Sequence, residues 1–281
     1  MSEELTSKIM SWLDKQGFPL EMEVASIAKK AGFGVVQSSS YLDPETNEVR
    51  EIDLHLYSSR YSDAEYVGHL SYNIFIECKS SSGGKPWLLF CADRPPISED
   101  EFKDILNAVD TGRTFVSNPY GAKLLSGSAL MGDSELIYPK LRDTKWFGYG
   151  VTQAFSEAHD APYKAMMSAA KSAIAYSKLR FPKGDEQLGT PFTSCLPLIV
   201  IDVPMYAVSY QSNSGEIKLE EIEQGHMHWK RQIIDRTTVG IFIVTKKALP
   251  EFLKKCYASA EWLLSKSDNE LKEIRDEVIN N

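Results

Sequence analysis

The chain has 281 residues, 43% of them hydrophobic and 25% charged, which is globular composition with room for one large domain or two small ones. A net charge of −8 and a pI near 5.3 argue against a domain that coats nucleic acid by bulk electrostatics. The apolar runs are strand-length, too short to span a bilayer, so no membrane partner is expected. The start, Met1-Ser-Glu-Glu, is acidic and lacks the apolar core of a signal peptide. The four cysteines (Cys78, Cys91, Cys195 and Cys256) form no CxxC pair, and free thiols in a reducing cytoplasm are the expectation.

In chain order, residues 5–15 have helical spacing (Leu5, Ile9, Trp12, Leu13) and end at Gly17-Phe18-Pro19. A second helix is predicted over 20–30, with Val24, Ile27, Ala28 and Ala31 on one stripe and Gly32 as its stop. Residues 33–39 read as a strand, and Asp43-Pro-Glu-Thr-Asn47 as the turn of a hairpin. Two alternating runs follow. Residues 50–57 set Ile52, Leu54 and Leu56 on one face and Glu51, Asp53, His55 and Tyr57 on the other. Residues 70–79 set Ile74, Ile76 and Cys78 against Phe75, Glu77 and Lys79. Period-two alternation predicts one core face and one charged face on each strand, the two strands forming an antiparallel hairpin around residues 58–69.

Residues 87–92 read as a third buried strand, and about 93–150 as an insertion facing substrate. A long helix is expected over 154–179, interrupted near Pro162. An apolar strand at 198–203, a hairpin (206–210 and 217–222), a strand at 239–244 and a closing helix at 249–264 complete the chain. The fold class is therefore α/β, one mixed sheet with helices packed on it.

Hydrolysing a phosphodiester near neutral pH requires an activated water and neutralisation of developing negative charge, both of which a carboxylate-held divalent ion supplies. Magnesium prefers oxygen ligands and keeps several waters, so two carboxylates and a carbonyl suffice. Asp53 and the segment Glu77-Cys78-Lys79 provide such a set. Glu77 and Lys79 share a strand face, and Asp53 lies on the neighbouring strand. The Cys78 backbone carbonyl is the natural extra ligand, and Lys79 the group to position the water. Carboxylates inside apolar strands are costly unless a partner or a metal compensates them.

Ile52-Asp53 followed by Ile76-Glu77-Cys78-Lys79, behind a helix opening Pro19-Leu20-Glu21, resembles the PD-(D/E)xK nuclease superfamily. The pattern is nearest the nuclease domains of type IV restriction enzymes. The resemblance spans roughly residues 17–92. It implies a restriction endonuclease-like mixed central sheet flanked by helices, here with an inserted segment and an extra hairpin. Residues 1–281 would then be a single elaborated domain whose residues 151–265 complete the sheet and helices. It also implies a cytoplasmic Mg2+- or Mn2+-dependent nuclease acting on DNA in restriction, phage defence or repair, and a homodimer by analogy. Glu21 matches the helical glutamate of that subgroup and would join Asp53, Glu77 and Lys79. Glu21 is preferred to Glu23 because it shares a stripe with Val24 and Ala28. Two rivals stand beside this reading: a non-catalytic binding module that keeps the fold, and an RNA- or nucleotide-directed phosphodiesterase.

The remaining motifs are read as structural. His55 either tunes the site or packs. His226-x-His228 lacks a third ligand nearby and is read as a strand feature. Gly83-Gly84-Lys85 reads as a turn, without the spacing of a phosphate loop.

Overall fold

The structure, a computed structural model, describes residues 3–13, 16–61, 67–80, 84–91, 116–117, 146–156, 160–178, 190–230 and 238–280. Helix α1 (Glu3–Leu13) has no buried residue. Helix α2 (Phe18–Lys30) starts two residues earlier than its apolar stripe suggests, because Pro19 in the first turn needs no amide partner. It ends at Gly32, whose φ of 104° only glycine adopts readily. There the Phe33 amide reaches back to the Ala28 carbonyl at 3.2 Å, closing a Schellman turn.

Strands β1 (Gly34–Leu42), β2 (Val49–Tyr61) and β3 (Val67–Lys79) form an antiparallel meander. The predicted hairpin is thus present, with strands longer than the sequence suggests. The sheet continues through β7 (Thr190–Ile201), β11 (Thr238–Thr245), β10 (Gln224–Lys230), β6 (Phe147–Gln153), β4 (Trp87–Cys91), β8 (Met205–Gln211) and β9 (Glu216–Ile222), in that spatial order. The short β5 (Val116–Ser117) pairs with β7 off this path. Both β3–β7 and β7–β11 are parallel. The connection to β7 carries helix α3 (Ala161–Ser177), while α4 (Leu249–Leu264) and α5 (Asp268–Asn280) end the chain. The molecule is therefore mixed α/β, a large mixed sheet flanked by helices.

Alternation along the central strands divides the core in two. Ile74, Ile76, Leu198, Val200, Phe242 and Val244 pack with α2, α4 and Leu271 of α5. Their neighbours Phe75, Ile199, Ile201, Ile241 and Ile243 pack with Ala165, Met166, Ala170, Ala173 and Ile174 of α3.

Several expectations are corrected. Residues 147–153 are strand, and the helix expected over 154–179 begins at Ala161, with Pro162 opening it rather than interrupting it. The stretch 93–150 is not wholly an insertion: β5 and β6 pair into the sheet, and the rest of it apart from Trp146 lies outside the described residues. Strand β4 follows β3 in sequence but sits between β6 and β8. On the face predicted to carry charge, His55, Phe75 and Glu77 are buried against Tyr176 and Ser168 of α3, while Glu51 and Tyr57 stay exposed. Ile52 also leaves the face of Leu54 and Leu56 and joins Phe75 in the α3-side core. The break falls at Asp53, opposite Ser38, whose backbone is left-handed at φ 52°.

Candidate functional site

The ladder between β2 and β3 holds to Leu54–Ile76, and past that pair a side chain replaces the backbone partner. The Cys78 amide donates to Asp53 Oδ2 at 2.7 Å. On the other edge of β3, the Lys79 carbonyl accepts from the Asp202 amide at 3.1 Å. Since carbonyls of successive strand residues point to opposite edges, the Cys78 carbonyl points toward β2, beside Asp53.

Lys79 joins the two carboxylates. Its ammonium lies 2.6 Å from Glu77 Oε2 and 3.9 Å from Asp53 Oδ2. Glu77 is only 6% exposed, whereas Asp53 and Lys79 are partly open to solvent. Burial raises the Glu77 pKa, with Lys79 opposing that and Asp53 adding to it. For Lys79, burial pulls the pKa down, but the charges of Glu77 and Asp53 outweigh it and hold the ammonium form.

Glu21 is half-buried on α2 and its pKa is raised, first by burial and then by the charge of Asp53, with Glu51 and Glu77 contributing. Glu23, two residues on, is exposed and pairs with Lys246 at 3.3 Å. The helix register thus leaves Glu21 half-buried and Glu23 on the rim. Asp53, Glu77 and Lys79 meet at the β2–β3 edge beside the Cys78 backbone.

Ser168 is the residue that sequence reasoning missed. It lies on α3, whose composition reads as core packing, and its hydroxyl donates to Glu77 Oε1 at 2.5 Å. One turn along, Lys171 contacts Asp43 Oδ2 at 3.0 Å and Glu45 at 2.7 Å. No motif marks Ser168, because its partner lies 91 positions away in sequence.

Other candidates resolve as packing. His55 is buried, stacks on Phe75 at 4.6 Å and hydrogen-bonds with Asn73 Oδ1 at 2.9 Å. His226 is buried between Phe147 and Phe242. All four cysteines are buried free thiols. No described helix is long and apolar enough to cross a membrane.

Among the described residues, no group of three or more His, Cys, Asp or Glu side chains is gathered closely enough to hold a metal ion. The donor set nonetheless fits a hard divalent cation. It consists of carboxylates and a carbonyl, with two of the carboxylates close enough to share the Lys79 ammonium. No family model, curated protein or solved structure matches the chain.

Proposed function

We propose that this chain is a metal-dependent nuclease of the PD-(D/E)xK type that hydrolyses phosphodiester bonds in DNA. The observation that carries the reading is the convergence of Asp53, Glu77 and Lys79 at one opened strand edge, with one ammonium shared by two carboxylates. Chain order is compatible with that superfamily's sheet: α2 precedes the β1–β2–β3 meander, and after β4 to β6 helix α3 leads into the parallel strand β7. Asp53 and Glu77, with the Cys78 carbonyl and Glu21, would hold Mg2+ or Mn2+. Bound there, the ion would supply a nucleophilic water and neutralise phosphate charge.

The chain's own residues divide the work. Asp53 ties β2 to β3 through the Cys78 amide and keeps its carboxylate at the edge. Glu77 supplies a buried charge whose desolvation favours pairing with a cation. Lys79, partly open to solvent and held as the ammonium, would orient the attacking water. A homodimer would bring two such edges to a duplex, as restriction-like folds commonly do.

The test is a panel of single- and double-stranded DNA and RNA with Mg2+ or Mn2+. Wild type is expected to cut DNA. Asp53→Asn should lose metal binding and cleavage together, since a neutral amide is a poor ligand for a hard cation. Lys79→Ala should keep metal binding while turnover falls about 10²- to 10⁴-fold. Wild-type cleavage by Lys79→Ala would reject the role of Lys79. Metal binding by wild type without any cutting would assign the chain to the binding-module class instead, and cutting of RNA alone would move the substrate.

A further inference from the structure

A buried carboxylate needs donors on both oxygens if it is to stay ionised and hold one orientation. Glu77 has them from two elements: Lys79 on Oε2 and Ser168 on Oε1. These donors are not equivalent. The ammonium of Lys79 sits between Glu77 and Asp53, where a divalent ion would bind, and the proposed chemistry requires that ammonium at the water. Were a cation to displace Lys79 from Glu77, Ser168 would remain as a side-chain donor on it. Its hydroxyl occupies Oε1, which leaves Oε2 as the oxygen facing Asp53.

The position of Ser168 is itself held. Lys171, three residues along α3, is tied to Asp43 and Glu45 at the β1–β2 turn. Asp43 is fully buried and also accepts from the Glu45 amide at 2.9 Å, so this anchor is firmly seated.

We infer that Ser168 is a positioning residue for Glu77: its hydroxyl holds Oε1 so that Oε2 is presented toward Asp53 and a bound cation, and helix α3 sets that geometry. The inference rests on the metal-dependent reading above. Groups that orient a metal ligand typically contribute about 10- to 100-fold to metal affinity or activity.

The experiment measures Mn2+ binding by calorimetry, with no substrate present, and then turnover, on wild type, Ser168→Ala and Ser168→Thr. Ser168→Ala should bind Mn2+ about 10- to 100-fold more weakly, and Ser168→Thr, which keeps the hydroxyl, should restore most of the loss. Wild-type Mn2+ affinity in Ser168→Ala overturns the inference while leaving the nuclease reading intact. Equal losses in Ala and Thr also overturn it, because packing rather than the hydroxyl would then matter. If Ser168→Ala does not fold, Ser168→Cys carries the test: it keeps nearly the same volume with a weaker donor, and unchanged affinity there overturns the inference. A wild type that neither binds Mn2+ nor cuts overturns the nuclease reading and this inference together.

Discussion

His55 and Asp43 show how two buried ionisable side chains of one sheet are handled in opposite ways. His55 stacks on Phe75 and Tyr176 beneath α3, and burial lowers its pKa against a smaller opposing effect of Asn73. The unfolded state therefore binds a proton more readily than the folded one. Stability from this residue is present above the unfolded pKa of about 6.5 and is lost as pH falls through that value toward the lower folded one. Urea midpoints of wild type should fall between pH 7 and 5, and His55→Gln should flatten that fall. Part of the slope will remain, since burial lowers the pKa of His69 as well. An unchanged slope in His55→Gln would show that the imidazole is not buried neutral. Asp43 is instead kept ionised. Burial pushes its pKa up, but the Glu45 and Thr46 amides and the Lys171 ammonium outweigh this and hold it low. No pH loss near neutrality is expected from it.

At the scale of elements, the Asp43 cluster is what fastens α3 to the first hairpin. Lys171 is only 12% exposed in its side chain, and Arg50 reaches the same carboxylate at 2.8 Å. Asp43→Ala would leave the nearly buried Lys171 ammonium with Glu45 alone and two amides without an acceptor. A loss of about 3 kcal/mol in urea unfolding is expected, as for other half-removed buried pairs. A loss within the error of the measurement would show that α3 is held by its apolar face alone. Arg60 performs a similar fastening at the other end of the hairpin. It donates to the Leu264 carbonyl at 2.5 Å and to the Lys266 carbonyl, and pairs with Asp268 at 3.3 Å. The last carbonyls of α4 and the first turn of α5 are thus tied to β2, which explains how the largely polar α5 is held against the sheet.

For the whole molecule, the order of pairing matters more than its strength. Strand β3 pairs along its length with β7, matching Lys79 to Ile201 and Val67 to Thr190 across most of the middle of the chain. Loop closure must be completed before those contacts contribute, so folding should be slow for the size of the protein. Refolding from urea is expected in about a second or longer, as for domains dominated by non-local strands. Leu198→Ala, at a fully buried position of β7, should cost about 2–5 kcal/mol. Refolding in microseconds would show that the meander and α2 fold without waiting for β7.

What the sequence determined by itself was local. Period-two alternation marked β2 and β3, Pro19 and Gly32 bounded α2, and the apolar stripe of 249–264 matched α4 end to end. Because Glu77 and Lys79 are two apart on a strand and Asp53 lies on its hairpin partner, the meeting of these three side chains was legible from spacing. The second half of the sheet was not. Residues 147–153 carry glycines in place of clear alternation, and their strand character comes from pairing with β4 and β10, which lie far away in sequence. Nor could spacing reveal that Ile52 and Leu54 part to opposite faces, since that depends on a left-handed residue in the neighbouring strand. Ser168 belongs to the same class. A serine among alanines in a helix states a preference for helix, while its place beside Glu77 follows only when α3 closes over the sheet and one hydroxyl meets one buried oxygen.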